Sequence, residues 1–225
     1  MKIGILKTGH APDIVLDELG DYEVMFADLL AGHGFEFDAY DVVDGDFPTG
    51  PEAADGWLIT GSKHGAYENL PWIAPLEQLI RDIYADGRPL VGVCFGHQVI
   101  AQALGGTVEK FDGGWSVGVT EYEIEGMRLP LNAWHQDQVT ALPEGASVVG
   151  SSAFCENAAL VYGDRIYTIQ PHPEFTTTMV DRLIHHRGPG VVPEALLQDA
   201  AKRLDQPTAN AEIAKRMAKF LKRGA

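Results

Sequence analysis

Short apolar runs alternate along this chain with longer stretches whose apolar residues recur at helical spacing, a pattern that predicts an α/β fold. Ile3 to Leu6 reads as an opening buried strand, residues 14–32 as a helix ended near Gly32 and Gly34, and Phe35 to Val43 as a second strand. A third strand, Gly56 to Gly61, runs into a glycine-rich turn. Residues 71–86 place Ile73, Leu76, Leu79, Ile80 and Ile83 on one helical face, with Pro71 near the start. Pro89 to Val93 has the composition of a strand at the sheet centre, and a helix follows through Val99, Ile100 and Leu104 to Gly105-Gly106. From about 107 to 170 the pattern changes to short β-like segments, among them Ser116 to Ile124, Ser147 to Gly150 and Leu160 to Ile169, the last with a turn at Gly163-Asp164. Residues 176–186, about 192–204 and about 208–222 read as helices. The expected architecture is a three-layer, open, mostly parallel sheet flanked by helices, with a small antiparallel β extension.

Length and composition narrow this picture. The chain has 225 residues and no repeat or low-complexity tract, which suits one domain over 1–225, with a core of about 1–186 and a helical extension over about 190–225. The formal net charge of −15 disfavours nucleic acid and anionic membrane as partners. Nowhere do 18 apolar residues run together, and the N-terminal apolar run is too short for a signal peptide. Two cysteines, Cys94 and Cys155, cannot build a disulfide framework or a four-cysteine metal site, so a reducing, cytoplasmic setting is expected. Lys215, Arg216, Lys219, Lys222 and Arg223 read as a solvated basic helix face, and His185-His186 as a solvated helix end.

Chemistry concentrates at two places. Gly92-Val93-Cys94-Phe95-Gly96 has the form glycine, any residue, nucleophile, any residue, glycine, between a strand and a helix. Such a turn forces the nucleophile into strained backbone geometry, which neighbours without Cβ atoms allow. The following helix N-terminus favours thiolate over thiol, and the Phe95 N–H would face a developing oxyanion. The competing readings are a buried, inert cysteine and half of a metal site, since Cys94 and His97 stand at C-x-x-H spacing. No other cysteine lies nearby, so no metal is expected.

The second place is Gln170-Pro171-His172-Pro173-Glu174-Phe175, after an apolar strand. In an extended segment residues two apart project to the same side, so Glu174 would accept from one imidazole nitrogen and leave the other to face the thiol. The competing reading of His172 is a surface turn histidine.

Together these motifs resemble class I glutamine amidotransferase domains. Residues 92–98 (GVCFGHQ) and 170–175 (QPHPEF) are similar to the family's two signatures. Thr60-Gly61-Ser62 resembles its glycine-rich oxyanion loop, and Trp134-His135-Gln136-Asp137-Gln138-Val139 its His-x-Asp-x-Val segment. The resemblance implies a flavodoxin-like sheet, with Cys94 as nucleophile, His172 as base and Glu174 as its orienter. It places the Gly61 and Phe95 N–H groups in an oxyanion hole, with Ser62, Gln98, Trp134, His135 and Gln136 around a γ-glutamyl substrate. For Gln98 the alternative is a plain helix-face residue; for Trp134 and His135 it is core packing.

No synthetase domain or G-x-x-x-x-G-K phosphate loop accompanies these motifs. The Gly61–Tyr67 loop lacks the Gly-Gly-Pro of biosynthetic subunits, and Gln136 stands where many of them have glycine or serine. The resemblance is therefore to stand-alone, GMP-synthase-like members, including γ-glutamyl peptidases. It implies hydrolysis of a γ-glutamyl amide through a γ-glutamyl thioester, with no cofactor and a small-molecule substrate. The alternatives are a glutaminase subunit passing ammonia to a separate synthetase chain, and a non-catalytic sensor or scaffold. The oligomeric state and the leaving group are left open.

Overall fold

The structure, a computed structural model, describes residues 1–224; Ala225, the last residue of the expected helical extension, lies outside the described residues. The strands are β1 (Lys2–Leu6), β2 (Glu36–Tyr40), β3 (Gly56–Ile59), β4 (Leu90–Val93), β5 (Thr107–Lys110), β6 (Ser116–Ile124), β7 (Met127–His135), β8 (Asp137–Ala141), β9 (Ala146–Ser151), β10 (Ala159–Tyr162) and β11 (Ile166–Ile169). The helices are α1 (Asp13–Leu19), α2 (Tyr22–Leu29), α3 (Ile73–Asp86), α4 (Phe95–Ala103), α5 (Thr177–His186), α6 (Glu194–Lys202) and α7 (Asn210–Leu221).

Among the described residues the central sheet runs β2-β1-β3-β4-β11-β10-β9-β6-β7. The pairs β1–β2, β1–β3, β3–β4 and β4–β11 are parallel, in the strand order of a flavodoxin-like fold. Beyond β11 the same sheet continues antiparallel through β10, β9, β6 and β7, and β5–β8 form a separate ribbon. The expected antiparallel extension is thus four strands of the main sheet plus this ribbon.

Strand alternation sorts the parallel strands' side chains into two layers. Ile3, Ile5, Leu58, Val91, Val93, Tyr167 and Ile169 face one cluster with α2, α5 and α7. Leu6, Trp57, Ile59, Leu90 and Ile166 face the other, with α3 and α4. Gly92 points to the α4 side, where a Cβ would meet the Gly96 carbonyl oxygen at 2.6 Å, so the strand and the helix that bracket Cys94 pack backbone to backbone.

Three sequence expectations need correction. The helix over 14–32 is two helices, because Gly20 adopts φ 71° and Asp21 starts a second helix, its Oδ1 accepting from the Tyr22 N–H at 2.8 Å. The second strand stops at Tyr40 and gives way to a 3₁₀ turn, Val42–Asp44. Arg216 is not part of a solvated face: its side chain is 14% exposed and bonds Glu212 and Glu125. Strand β7 and the β5–β8 ribbon had no individual sequence reading.

Candidate active site

Four chain segments converge at the carboxyl ends of the parallel strands, where open α/β sheets place their ligands. Cys94 follows β4 and precedes α4, with φ 52° and ψ −106°, a left-handed conformation that costs a non-glycine residue about 1–2 kcal/mol. The backbone on either side holds it there. The Cys94 N–H donates to the Ile169 carbonyl at 2.9 Å, and the Gly96 N–H donates to the Thr60 carbonyl at 3.1 Å. Phe95 is the first residue of α4, so its N–H is one of the helix donors without an intrahelical acceptor.

His172 comes from the segment after β11. Its Nδ1–H donates to Glu174 Oε1 at 2.7 Å, and the two side chains are 4% and 0% exposed. Here the route differs from the extended segment expected. The Phe175 N–H turns back to the His172 carbonyl at 3.4 Å, so a tight turn, and not a strand, brings the carboxylate to the imidazole. Four contacts hold that turn. The Phe175 ring stacks on the imidazole at 3.9 Å with 5° between planes. The His172 N–H donates to the Asn132 carbonyl in β7 at 2.8 Å. Asn132 Nδ2 and Asn210 Nδ2 both donate to the Phe175 carbonyl at 3.0 Å. Sequence reasoning found Phe175 as part of a motif but missed the roles of Asn132 and Asn210, whose partners lie 43 and 35 residues away.

Burial alone would push the His172 pKa down. The charges on Cys94 and Glu174, with hydrogen bonds to both, outweigh it and hold the imidazole protonated well above its ordinary range. His135 and His97 behave oppositely. Burial drives His135 down to about 4 and His97 to about 3, so both rings are neutral. His97 Nδ1 lies 2.8 Å from Thr168 Oγ1 in β11, inside the core. Among the described residues no group of three or more His, Cys, Asp or Glu side chains is arranged around a metal-sized space.

Gly61 closes the site from the β3 side. A Cβ there would lie 3.0 Å from His172 Cε1 and 3.7 Å from Cys94 Cβ, so only glycine lets this backbone sit against the pair. Cys94, His172, Ser62, Gln98, Trp134, His135 and Gln136 all line one cleft of about 700 Å³. Gln98 is bound inward: its Nε2 donates to the Asp137 carbonyl at 2.9 Å and to Gln170 Oε1 at 3.0 Å. His135 Nδ1 lies 3.2 Å from the Asp137 carbonyl, and Gln136 Nε2 donates to the Phe111 carbonyl at 3.2 Å. Ser62 Oγ accepts from the His64 N–H at 3.2 Å. The cleft extends past these residues to Lys63, Lys110, Arg187 and His186, the last of which was read from sequence as a solvated helix end. No carboxylate among the described residues pairs with Lys63, Lys110 or Arg187.

Comparison with known proteins agrees with this geometry. The family described as glutamine amidotransferase class-I matches residues 46–187. The chain is 32% identical to gamma-glutamyl peptidase 4 of Arabidopsis thaliana, over 73% of this chain and 72% of that protein. It is 33% identical to a GMP synthase of Aromatoleum aromaticum, over 59% of this chain and 29% of that protein. A glutamine amido transferase from Methylobacillus flagellatus shares the fold with a TM-score of 0.78, over 99% of this chain and 93% of that one, at 24% identity.

Proposed function

Since the chain belongs to the class-I glutamine amidotransferase family of enzymes, we propose that it is a stand-alone γ-glutamyl hydrolase with Cys94 as its nucleophile. The observation that carries this reading is Cys94 in a strained turn, facing a buried His172–Glu174 pair at the floor of an open cleft.

The Cys94 thiolate attacks the γ-carbonyl carbon of the substrate, and the C–S bond forms as the carbonyl π electrons move to oxygen. The N–H groups of Gly61 and Phe95 face that oxyanion. Two such donors stabilise a tetrahedral intermediate far better than the ground state, at roughly 3 kcal/mol each. Protonated His172 gives its proton to the leaving nitrogen, the C–N bond breaks, and a γ-glutamyl thioester remains. Thioester formation removes the Cys94 charge, one of the influences that keep His172 protonated. With that charge gone and its own proton given to the leaving nitrogen, the imidazole is neutral, so it can take a proton from the water that attacks the thioester and frees glutamate and the thiolate.

In this reading Ser62, Gln98, Trp134, His135 and Gln136 surround the glutamyl moiety. The size of the cleft favours a leaving group larger than ammonia, and Lys63, Lys110 and Arg187, with Glu68 and Asp137, supply polar groups that could hold one. That supports a peptidase-like activity over delivery of ammonia to a partner. The likeness to part of a GMP synthase supports the second reading, a glutaminase working with a separate synthetase chain. Both cysteines are free, which fits a cytoplasmic setting. Among the described residues no helix is long and apolar enough to cross a membrane.

The test is a panel of glutamine, glutathione, γ-glutamyl amines and γ-glutamyl dipeptides, with Cys94→Ser as control. Steady turnover of dipeptides by the purified chain, lost in the variant, is expected. Turnover of glutamine alone, rising only with an added synthetase, would move the assignment to the second reading.

A further inference from the structure

The Gly61 N–H can serve an oxyanion only if its peptide is held in one orientation, and the structure shows what holds it. Thr8 follows β1, and both Thr8 and Thr60 are fully buried. The Thr8 N–H donates to Thr60 Oγ1 at 3.1 Å. Thr8 Oγ1 lies 3.0 Å from both the Thr60 and the Gly61 carbonyl oxygens, and Thr60 Oγ1 lies 3.2 Å from the Gly61 oxygen.

Each hydroxyl has one proton, and Thr8 Oγ1 also lies 3.3 Å from Thr60 Oγ1, so more than one donor pattern fits; one of them serves each carbonyl oxygen with a separate hydroxyl. In that pattern Thr60 Oγ1 accepts from the Thr8 N–H and donates to the Gly61 oxygen. Thr8 Oγ1 donates to the Thr60 oxygen, which also accepts from the Gly96 N–H at 3.1 Å. The Thr60 carbonyl and the Gly61 N–H belong to the same planar, trans peptide and point in opposite directions. Holding the carbonyl inward with Thr8 and Gly96 therefore turns the N–H outward. The Gly61 N–H has no acceptor among the described residues, and the Gly61 backbone sits against His172 and Cys94.

Thr8 is itself anchored. The Lys7 N–H donates to the Tyr40 carbonyl at 2.9 Å, and the Val43 N–H donates to the Lys7 carbonyl at 3.2 Å. Lys7 Nζ is gripped by Asp21, Glu23 and Asp41 at 3.2, 2.9 and 2.7 Å. The hydroxyl thus rests on the end of β1, with little freedom to follow a reoriented loop.

We propose that Thr8 is a positioning residue for the reaction: its hydroxyl fixes the Thr60–Gly61 peptide with the N–H facing the carbonyl oxygen of the substrate. The proposal rests on the hydrolase reading above. It assigns a transition-state role to a side chain that touches neither substrate nor thiol.

The test measures hydrolysis of γ-glutamyl p-nitroanilide by the full chain, with Thr8→Val, Thr8→Ser and Cys94→Ala compared with wild type. Thr8→Val keeps the shape and removes the hydroxyl. Its kcat is expected to fall about 10- to 100-fold with KM within about twofold, less than the loss of a direct oxyanion donor. Thr8→Ser, which keeps the hydroxyl, is expected within about threefold of wild type. The alkylation rate of Cys94 by iodoacetamide, which needs the thiol and not the oxyanion hole, is expected to be unchanged in Thr8→Val. Thr8→Ala replaces Thr8→Val if the latter does not fold. Three results overturn the assignment: wild-type kcat in Thr8→Val, equal impairment of the serine variant, or alkylation falling in step with kcat. A Cys94→Ala chain as active as wild type, or a wild type without γ-glutamyl hydrolysis, would overturn the hydrolase reading and this proposal together. An inert Cys94→Ala beside an unimpaired Thr8→Val removes the Thr8 role alone.

Discussion

His172 carries the positive charge of the site, and its neighbours decide how long it keeps the proton. The Cys94 and Glu174 charges raise its pKa against the cost of burial. A group raised in this way stays protonated above its ordinary value and loses the proton only as pH rises through the raised one. The alkaline fall of the wild-type kcat/KM profile should therefore lie above the ordinary imidazole range. Glu174→Gln removes one of the raising charges, so its alkaline limb should move to lower pH, with kcat down roughly 100-fold, the scale of a displaced general acid. Stopped-flow or steady-state rates across pH 5–10 (roughly, the range around an ordinary imidazole) would show the shift, and an unmoved limb would break the link between the carboxylate and the base. Cys94, His172 and Glu174 were readable from sequence because each sits inside a short motif with its own local geometry. Thr8, Asn132 and Asn210 were not, because their meaning lies in partners 52, 43 and 35 residues away.

At the level of elements, β1, β3, β4 and β11 were readable because each is a short apolar run, buried along nearly its whole length, whereas the edge strand β2 is exposed and only its alternation marks it. Strand β7 alternates Leu129, Leu131 and Ala133 with Arg128, Pro130 and Asn132, but a proline within the run demotes it as a strand signal. The break between α1 and α2 hid because apolar spacing continues across it, and the left-handed Gly20 looks no different in sequence from a tolerated helical glycine. That glycine is also tightly enclosed: a Cβ there would lie 2.7 Å from Val24 Cβ. Gly20→Ala should cost about 1–2 kcal/mol, from backbone strain with added crowding. Thermal unfolding should show a midpoint lower by about 2–8 °C, taking roughly 2–4 °C per kcal/mol for a chain of this size. An unchanged midpoint would mean that the helix break has another conformation in solution.

Across the whole molecule, the nucleophile and the base leave neighbouring parallel strands, β4 and β11, but only the base is also tied to elements outside that parallel half. Cys94 stands on the parallel strands, while His172 and its turn are tied to β7 and to the first residue of α7. Helix α7 buries Ile213, Met217 and Leu221 in the cluster that also contains Val91 and Ile169, so the helical extension belongs to the core beneath the site. The Ala209 N–H adds a 2.8 Å bond to the Pro130 carbonyl in β7. Asn210→Ala leaves Asn132 as the remaining side-chain donor to the Phe175 carbonyl. It should cost about 1 kcal/mol of stability and lower kcat several-fold, with KM little changed. Calorimetry and steady-state kinetics on the same preparation would test both halves of that expectation, and a wild-type kcat would show that the turn holds without α7.

The tie between His172 and α7 also orders events during synthesis. On the roles proposed here, a ribosome-bound chain needs β11 before its thiol elbow is held, since the Cys94 N–H donates to the Ile169 carbonyl. Cys94 and His172 then stand together before Asn210 is made to steady the turn. The full hydrolytic rate would be reached late, once α7 has docked.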